Sequence, residues 1–251
     1  MINLMYLVFI AMMALNMGKE VLSAFGLMNE KLQAANERYV STNEAVFEEL
    51  EKKEQEKPEE YAEALKKARQ VRDLSNEYYS YLGTLKEEVM KQAGSTEAER
   101  KDYQIMDKSD MLDEKFFKTD GLKPAGQEFL DKIKNYRNQL VSLLDAKDEA
   151  LKTVIEERFS TGVNDKVKDR EGNSVGWVQY NYEGFPYIAA VTKFSQLQSD
   201  IRQTEQDFYK AILGEKMQGE LSMKHYTTLL EQSRGAYYAN QEFDGAIVLG
   251  R

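Results

Sequence analysis

Apolar and polar positions fall into blocks of different period along the chain. Met1 to Gly18, MINLMYLVFIAMMALNMG, hold no Lys, Arg, Asp or Glu, and every such residue lies at or beyond Lys19. Beyond that point Phe25, Met28, Leu32, Ala35, Tyr39, Thr42 and Val46 recur at steps of three and four residues, which predicts one face of an α-helix. No proline precedes Pro58. The apolar block is therefore expected to continue without a joint into this long helix, weakened only at Gly18 and Gly26. Residues 44–60 mix both charge signs densely and read as a solvated helix end.

Pro58 suits a first helical turn. Behind it Tyr61, Leu65, Ala68, Val71, Leu74, Tyr78, Leu82, Leu85 and Val89 trace a second apolar stripe, closed by Gly94 and Ser95. Residues 94–122 are less regular, with a short helical possibility near Thr96–Phe117 opened by a Thr96/Glu99 capping box. Asp120-Gly121 marks a turn, and Pro124 opens a third helix. Phe129, Ile133, Tyr136, Leu140, Leu144, Leu151 and Ile155 line one face of it, to an end at Ser160–Gly162. Turn residues around Gly172 and the run Val175–Tyr182 predict a hairpin or ordered loop over 163–184. Pro186 opens a fourth helix along Ile188, Val191, Phe194, Leu197, Ile201, Phe208 and Ile212.

The expected fold is mainly α. Residues 1–18 form a single transmembrane helix, 19–214 an antiparallel helical bundle, and 215–251 the truncated start of a β-rich domain. Gly235–Tyr238 and Phe243–Gly250 read as two strands around Asn240-Gln241. An isolated hairpin is barely stable in water, so the β domain is expected to continue past Arg251.

Eighteen helical residues span roughly 27 Å, against a hydrocarbon core of about 30 Å. A buried core helix, a cleaved signal peptide and an uncleaved anchor are the three readings. Apolar residues cover every face, which disfavours a core helix. Neither a basic n-region nor a small-x-small cleavage site is present. The anchor remains, and native residues are expected before Met1. The charge rule cannot orient it, because no Lys or Arg precedes it. On this helix Asn3, Leu7, Ile10, Ala14 and Gly18 share a stripe, flanked by Tyr6 and Ala11. Ala14 and Gly18 permit close helix approach, and Asn3 needs a polar partner away from lipid. These seven residues are the candidate packing or partner-contact positions.

Composition removes most chemistry. The chain of 251 residues has no cysteine, one histidine and a net charge of -9. Thiolate metal sites, disulfides and cysteine nucleophiles are excluded, and nucleic-acid binding is disfavoured by the negative charge. His225 lies in a polar stretch and reads as a surface residue. Asp169, Glu171 and Asn173 loosely resemble a calcium loop, but Tyr180 stands where the closing glutamate belongs. No phosphate-binding loop, dinucleotide motif or nucleophile elbow is present. No catalytic residue, metal or cofactor is assigned. Trp177, Tyr180, Tyr182 and Phe185 form an aromatic-rich stretch that either covers one end of the bundle or offers a contact surface.

Met1–Leu32, MINLMYLVFIAMMALNMGKEVLSAFGLMNEKL, resembles the start of the GldM family, called PorM in some species. Two further stretches resemble it: Trp177–Ser195, with its core NYEGFPYIAAVTKFS, and Gly235–Arg251, GAYYANQEFDGAIVLGR. The resemblance implies a single-pass inner-membrane protein of the Bacteroidetes gliding and type IX secretion machinery, with most of the chain in the periplasm. It implies a homodimer whose membrane helices sit inside a ring of a GldL/PorL-type partner. It also implies a motor that uses the proton motive force and reaches outer-membrane components through the periplasm. The family's basic arginine-containing tail, which precedes its MINLMY-like segment, would pair with a partner carboxylate; that arginine lies outside this sequence. A static membrane-tethered adaptor is the alternative, and an enzyme is not expected.

Overall fold

The computed structural model describes the backbone of residues 2–94, 96–224, 227–232 and 245–250, and the side chains of residues 18–94 and 96–214. The chain divides into two compact units, Met1–Tyr209 and Lys210–Arg251.

The first unit is built on long helices. Helix α1 spans Ile2–Glu56, 55 residues without a break, or roughly 80 Å at 1.5 Å per residue. Gly18 and Gly26 are absorbed into it. Among the described residues no helix is long and apolar enough to cross a membrane; the side chains of the apolar block before Gly18 lie outside that set. Lys57 turns the chain into α2, Pro58–Ala93, with proline at the first helical turn and Gly94 at its end. The predicted stripe of α2 is its buried face, except that Leu74 is half-exposed and Ser75 takes the neighbouring buried place.

Helix α1 differs from its pattern. Its buried positions are Leu22, Gly26, Asn29, Asn36, Asn43, Phe47 and Leu50. The apolar series Phe25 to Val46 lies about a quarter turn away at 100° per residue. Met28 and Thr42 of that series are exposed, and the others are half-buried.

The expected helix near Thr96–Phe117 is broken into pieces. Helix α3, Glu97–Lys101, carries the anticipated capping box of Thr96 with Glu99. The Asp102 carboxylate accepts from Gln104 N–H at 3.2 Å and starts a separate 3₁₀ turn, Tyr103–Ile105. Helix α4, Asp110–Phe116, follows, then the small hairpin of β1, Phe117–Lys118, and β2, Gly121–Leu122. Gly121 supplies the positive φ of 112° that this turn demands.

The third helix is also divided. Helix α5 covers Pro124–Ser142, and α6 covers Glu149–Arg158 after a 3₁₀ turn at Ala146–Asp148. Asp145 and Asp148 cap each other's backbone across this break, and Lys67 of α2 holds Asp145 at 2.8 Å. Periodicity alone missed the break because Leu144, Leu151 and Ile155 keep a helical spacing through it.

Residues 163–184 contain both the expected hairpin and an unexpected helix. β3, Lys166–Lys168, pairs antiparallel with β4, Ser174–Gly176. The aromatic run that follows is helix α7, Trp177–Tyr182, so the β reading of Val175–Tyr182 fails beyond Gly176. Val178 and Tyr182 turn inward at helical spacing onto the core, and this burial outweighs the strand propensity of the run.

Helix α8 spans Tyr187–Lys224 and continues past Gly214, where a change of pattern was expected. Directions follow from the contacts. Arg72 meets Glu44 and Arg69 meets Glu51, so α2 runs against α1. Ser75 meets Tyr136 and Lys67 meets Asp145, so α5 runs against α2. Asn76 meets Arg202 and Tyr79 meets Gln198, so α8 also runs against α2. Helix α8 therefore lies parallel to α1, which departs from a simple alternating four-helix bundle. The break at 143–148 returns the chain as α6 and frees α8 to rise again beside α1.

The described part of the second unit is the end of α8 and an antiparallel pair. β5, Thr227–Gln232, pairs with β6, Gly245–Gly250. The second expected strand is present. The first, Gly235–Tyr238, and the turn Asn240-Gln241 lie outside the described residues, as does His225.

Candidate functional site

Helices α1 and α8 meet along a polar spine. Asn29, Asn36 and Asn43 are each almost fully buried, at 3%, 1% and 3% exposure, and fall at seven-residue intervals on α1. Ser195 Oγ donates to Asn29 Oδ1 at 2.6 Å, and Asn36 Nδ2 donates to the Ser195 carbonyl at 3.2 Å. Asn43 Nδ2 donates to the Arg202 carbonyl at 2.9 Å and to Glu205 Oε2 at 3.1 Å. Higher on the same seam, Thr192 Oγ1 donates to the Phe25 carbonyl at 3.1 Å.

At the lower end these bonds merge with a buried ion pair. Arg202 Nη1 reaches Glu205 Oε2 at 2.8 Å, with side chains only 10% and 3% exposed. Tyr209 donates to the other Glu205 oxygen at 2.9 Å, and Arg202 Nη2 donates to Asn76 Oδ1 at 2.9 Å. The Arg202 guanidinium sits 4.4 Å from the Tyr79 ring centre. Burial, and then the Glu205 charge, push the Tyr209 hydroxyl pKa up. A cavity of about 110 Å³ adjoins this group, lined in part by Val40, Arg72 and Asn76. Asn36 Oδ1, Asn43 Oδ1 and Arg202 Nε have no protein partner. The cavity is polar and roomy enough for ordered water.

This arrangement is structural in kind. A buried ion pair rarely adds net stability over apolar packing, but directional polar contacts fix the relative position of the elements that share them. Apolar layers tolerate sliding; a seam of amides and carbonyls loses several bonds when it slips.

The aromatic stretch resolves into two groups. Phe129 is the hub of the end core, with Phe116 at 5.4 Å, Tyr182 at 5.1 Å, Phe194 at 5.7 Å and Trp177 at 6.4 Å between ring centres. Tyr182 is buried and Trp177 half-buried, so these two belong to packing. Tyr180 is 43% exposed, and Phe185 is half-buried beneath Lys193, whose ammonium lies 3.9 Å from its ring centre. Desolvation lowers the Lys193 pKa to about 8. Tyr180, Phe185 and Lys193 line an open groove of about 560 Å³ with the Asp169–Glu171 turn. In that turn Asp169 Oδ1 accepts the N–H groups of Glu171 and Asn173 at 2.9 and 2.8 Å, and its Oδ2 accepts from Asn173 Nδ2 at 3.1 Å. Among the described residues no group of three or more His, Cys, Asp or Glu is placed to hold a metal.

The anchor candidates Asn3, Tyr6, Leu7, Ile10, Ala11 and Ala14 lie outside the described side chains. Gly18 is exposed, and a Cβ added there would meet nothing within 4 Å. The asparagine spine was not anticipated. The signal for it was present as three asparagines at a seven-residue repeat, but an apolar stripe beside them drew the helical face.

Long helices held in register by a buried polar seam define a helical-bundle domain. The profile of the GldM N-terminal domain matches residues 20–215, and the chain belongs to that family. It is thereby a component of the gliding-motility and type IX secretion machinery, within a family of structural components and not of known enzymes. No curated protein matches the chain.

Proposed function

We propose that this chain is the membrane-anchored, transmitting element of a motor driven by the proton motive force, which powers gliding and type IX secretion. In this reading Met1–Gly18 cross the inner membrane once, and the remainder lies in the periplasm. Two copies associate, and a GldL/PorL-type ring surrounds their membrane helices. The apolar block holds no Asp, Glu, His or Lys, the groups that intramembrane proton relays use. Protons would therefore pass through the partner's carboxylates, and Asn3 and Tyr6 would supply polar contacts that respond to their charge state.

The observation that carries this reading is α1 itself. It is one unbroken helix, and the asparagine spine fastens it to α8. Movement imposed at its N-terminal end would reach the bundle along a stiff rod. Two glycines inserted after Glu20 test this. Expression and partner binding should stay normal while gliding and secretion fail. Normal motility in such cells would sink the rod and favour the static adaptor. A reporter fused after Gly214 should behave as exported; cytoplasmic activity there would reject the topology.

A further inference from the structure

The apolar series on α1 that the bundle covers only in part has the geometry of a coiled-coil seam. Val21, Phe25, Met28, Leu32, Ala35, Tyr39, Thr42 and Val46 alternate steps of four and three residues without exception. None is charged. Val21 is 54% exposed and Met28 48%, Thr42 is exposed, and the other five are half-buried. Counted backward in sequence, the same register passes through Gly18, Ala14, Ala11, Leu7 and Leu4. The repeat averages 3.5 residues per step over the whole run, not the 3.6 of a straight helix. A repeat sustained at 3.5 keeps one seam facing a partner helix through a left-handed supercoil.

We infer that this stripe is the contact between two copies of the chain, as a parallel two-stranded coil of α1 with α1 from Leu4 to Val46. A second copy is the occupant the pattern fits, because a heptad seam is complementary to itself in parallel register. Helix α1 is continuous through all of these positions, so a pairing begun at one end is in register at the other. Placement of the bundles also agrees. The bundle-facing positions Leu22, Asn29, Asn36 and Asn43 lie on one side of the seam, and Ala24, Lys31, Arg38 and Ala45 lie exposed on the other. Twofold symmetry then sets the two bundles on opposite sides of the pair, clear of each other. The seam is tapered. Ala11, Ala14 and Gly18 fall in its first half and Phe25, Met28, Leu32 and Tyr39 in its second, and small residues permit closer helix approach than large ones. This deepens the dimeric reading above and rests on it only for the identity of the second helix.

The absence of cysteine makes the test direct. Full-length protein in native membranes would carry one cysteine at a time, at Val21, Met28, Ala35 or Thr42, or at Leu27, Ala34 or Ser41 on the neighbouring face. Under mild oxidation the seam positions should form the disulfide dimer about tenfold faster, since bridging needs Cβ atoms within about 4.5 Å. Equal rates on both faces, or faster crosslinking at 27, 34 and 41, would overturn the seam. So would adducts at the seam to a different protein in place of the dimer. A second measurement avoids oxidation. The pair Met28→Glu and Thr42→Glu sets like charges across the coil, and should weaken the detergent-solubilised dimer by at least about tenfold in sedimentation. An unchanged dimer would equally overturn the inference. Neither readout uses motility, so the seam can fail while the motor reading stands, or hold while it falls.

Discussion

Asn36 and Ser195 stand 159 residues apart in sequence and share a hydrogen bond, and Asn43 stands in the same relation to Arg202. The equal offset means that α1 and α8 advance together, residue for residue. Repacking the helices one residue out of step would strand two buried amides at once. The spine therefore selects one register among several that apolar packing alone would accept.

Truncation of the spine should cost unequal amounts. Asn36→Ala removes a single neutral hydrogen bond and should lower stability by about 1–2 kcal/mol. Asn43→Ala also takes a donor from the buried Glu205 carboxylate, and about 2–4 kcal/mol is expected. Urea unfolding of the two variants, compared at equal m-value, checks the order. A larger loss for Asn36→Ala would contradict it.

The ion pair should show the asymmetry of buried charges. Arg202→Met leaves Glu205 with only Asn43 and Tyr209 as donors and should cost about 3–5 kcal/mol. Replacing both partners, as Arg202→Met with Glu205→Leu, should recover most of that loss while weakening register. Thermal unfolding of the single and double variants reads the difference.

Gly26 is a contact point for the irregular segment that follows α2. A Cβ there would fall 1.9 Å from the Tyr103 ring, and Tyr103 donates to Glu30 at 2.7 Å. Gly26→Ala gains up to about 1 kcal/mol of helix propensity but must displace the ring. The net expectation is loosening of residues 94–109 with the long helices intact. Faster proteolytic nicking within that stretch, at an almost unchanged melting temperature, is the expected result.

Burial gives two lysines a pH signature. Desolvation lowers the pKa of both Lys86 and Lys193 from 10.5 to about 8. The unfolded chain then binds more protons than the folded one between pH 8 and 10.5, so their contribution to stability rises with pH across that window. Buried tyrosines act oppositely: raised pKa values at Tyr78, Tyr136, Tyr182 and Tyr209 remove stability once unfolded tyrosine ionises near pH 10. The clean window is pH 8 to about 10. Lys86→Met should flatten the rise there and add about 1 kcal/mol at neutral pH. An unchanged slope would refute the assignment.

Much of the architecture was legible because prolines mark helix starts here. Pro58, Pro124 and Pro186 stand at or just before the openings of α2, α5 and α8. The break between α5 and α6 was not legible, because it depends on Asp145 and Asp148 capping each other and on Lys67 from a distant helix. Helix α7 was misread because aromatic and β-branched residues favour strands until burial decides otherwise. The buried face of α1 was hidden for a related reason. Hydrophobic periodicity finds the faces that avoid water, and this helix turns amides toward its own bundle while part of its apolar stripe stays open.

That inversion affects how the chain is made. Helix α1 is synthesised first, and the α8 residues that complete its inner face come about 160 residues later, a delay of roughly 8 to 30 seconds at about 5–20 residues per second. An apolar inner face would spend that interval as an adhesive surface, open to any other emerging chain. Asn29, Asn36 and Asn43 are well hydrated while they wait, and they give up water only when Ser195, Arg202 and Glu205 arrive to replace it.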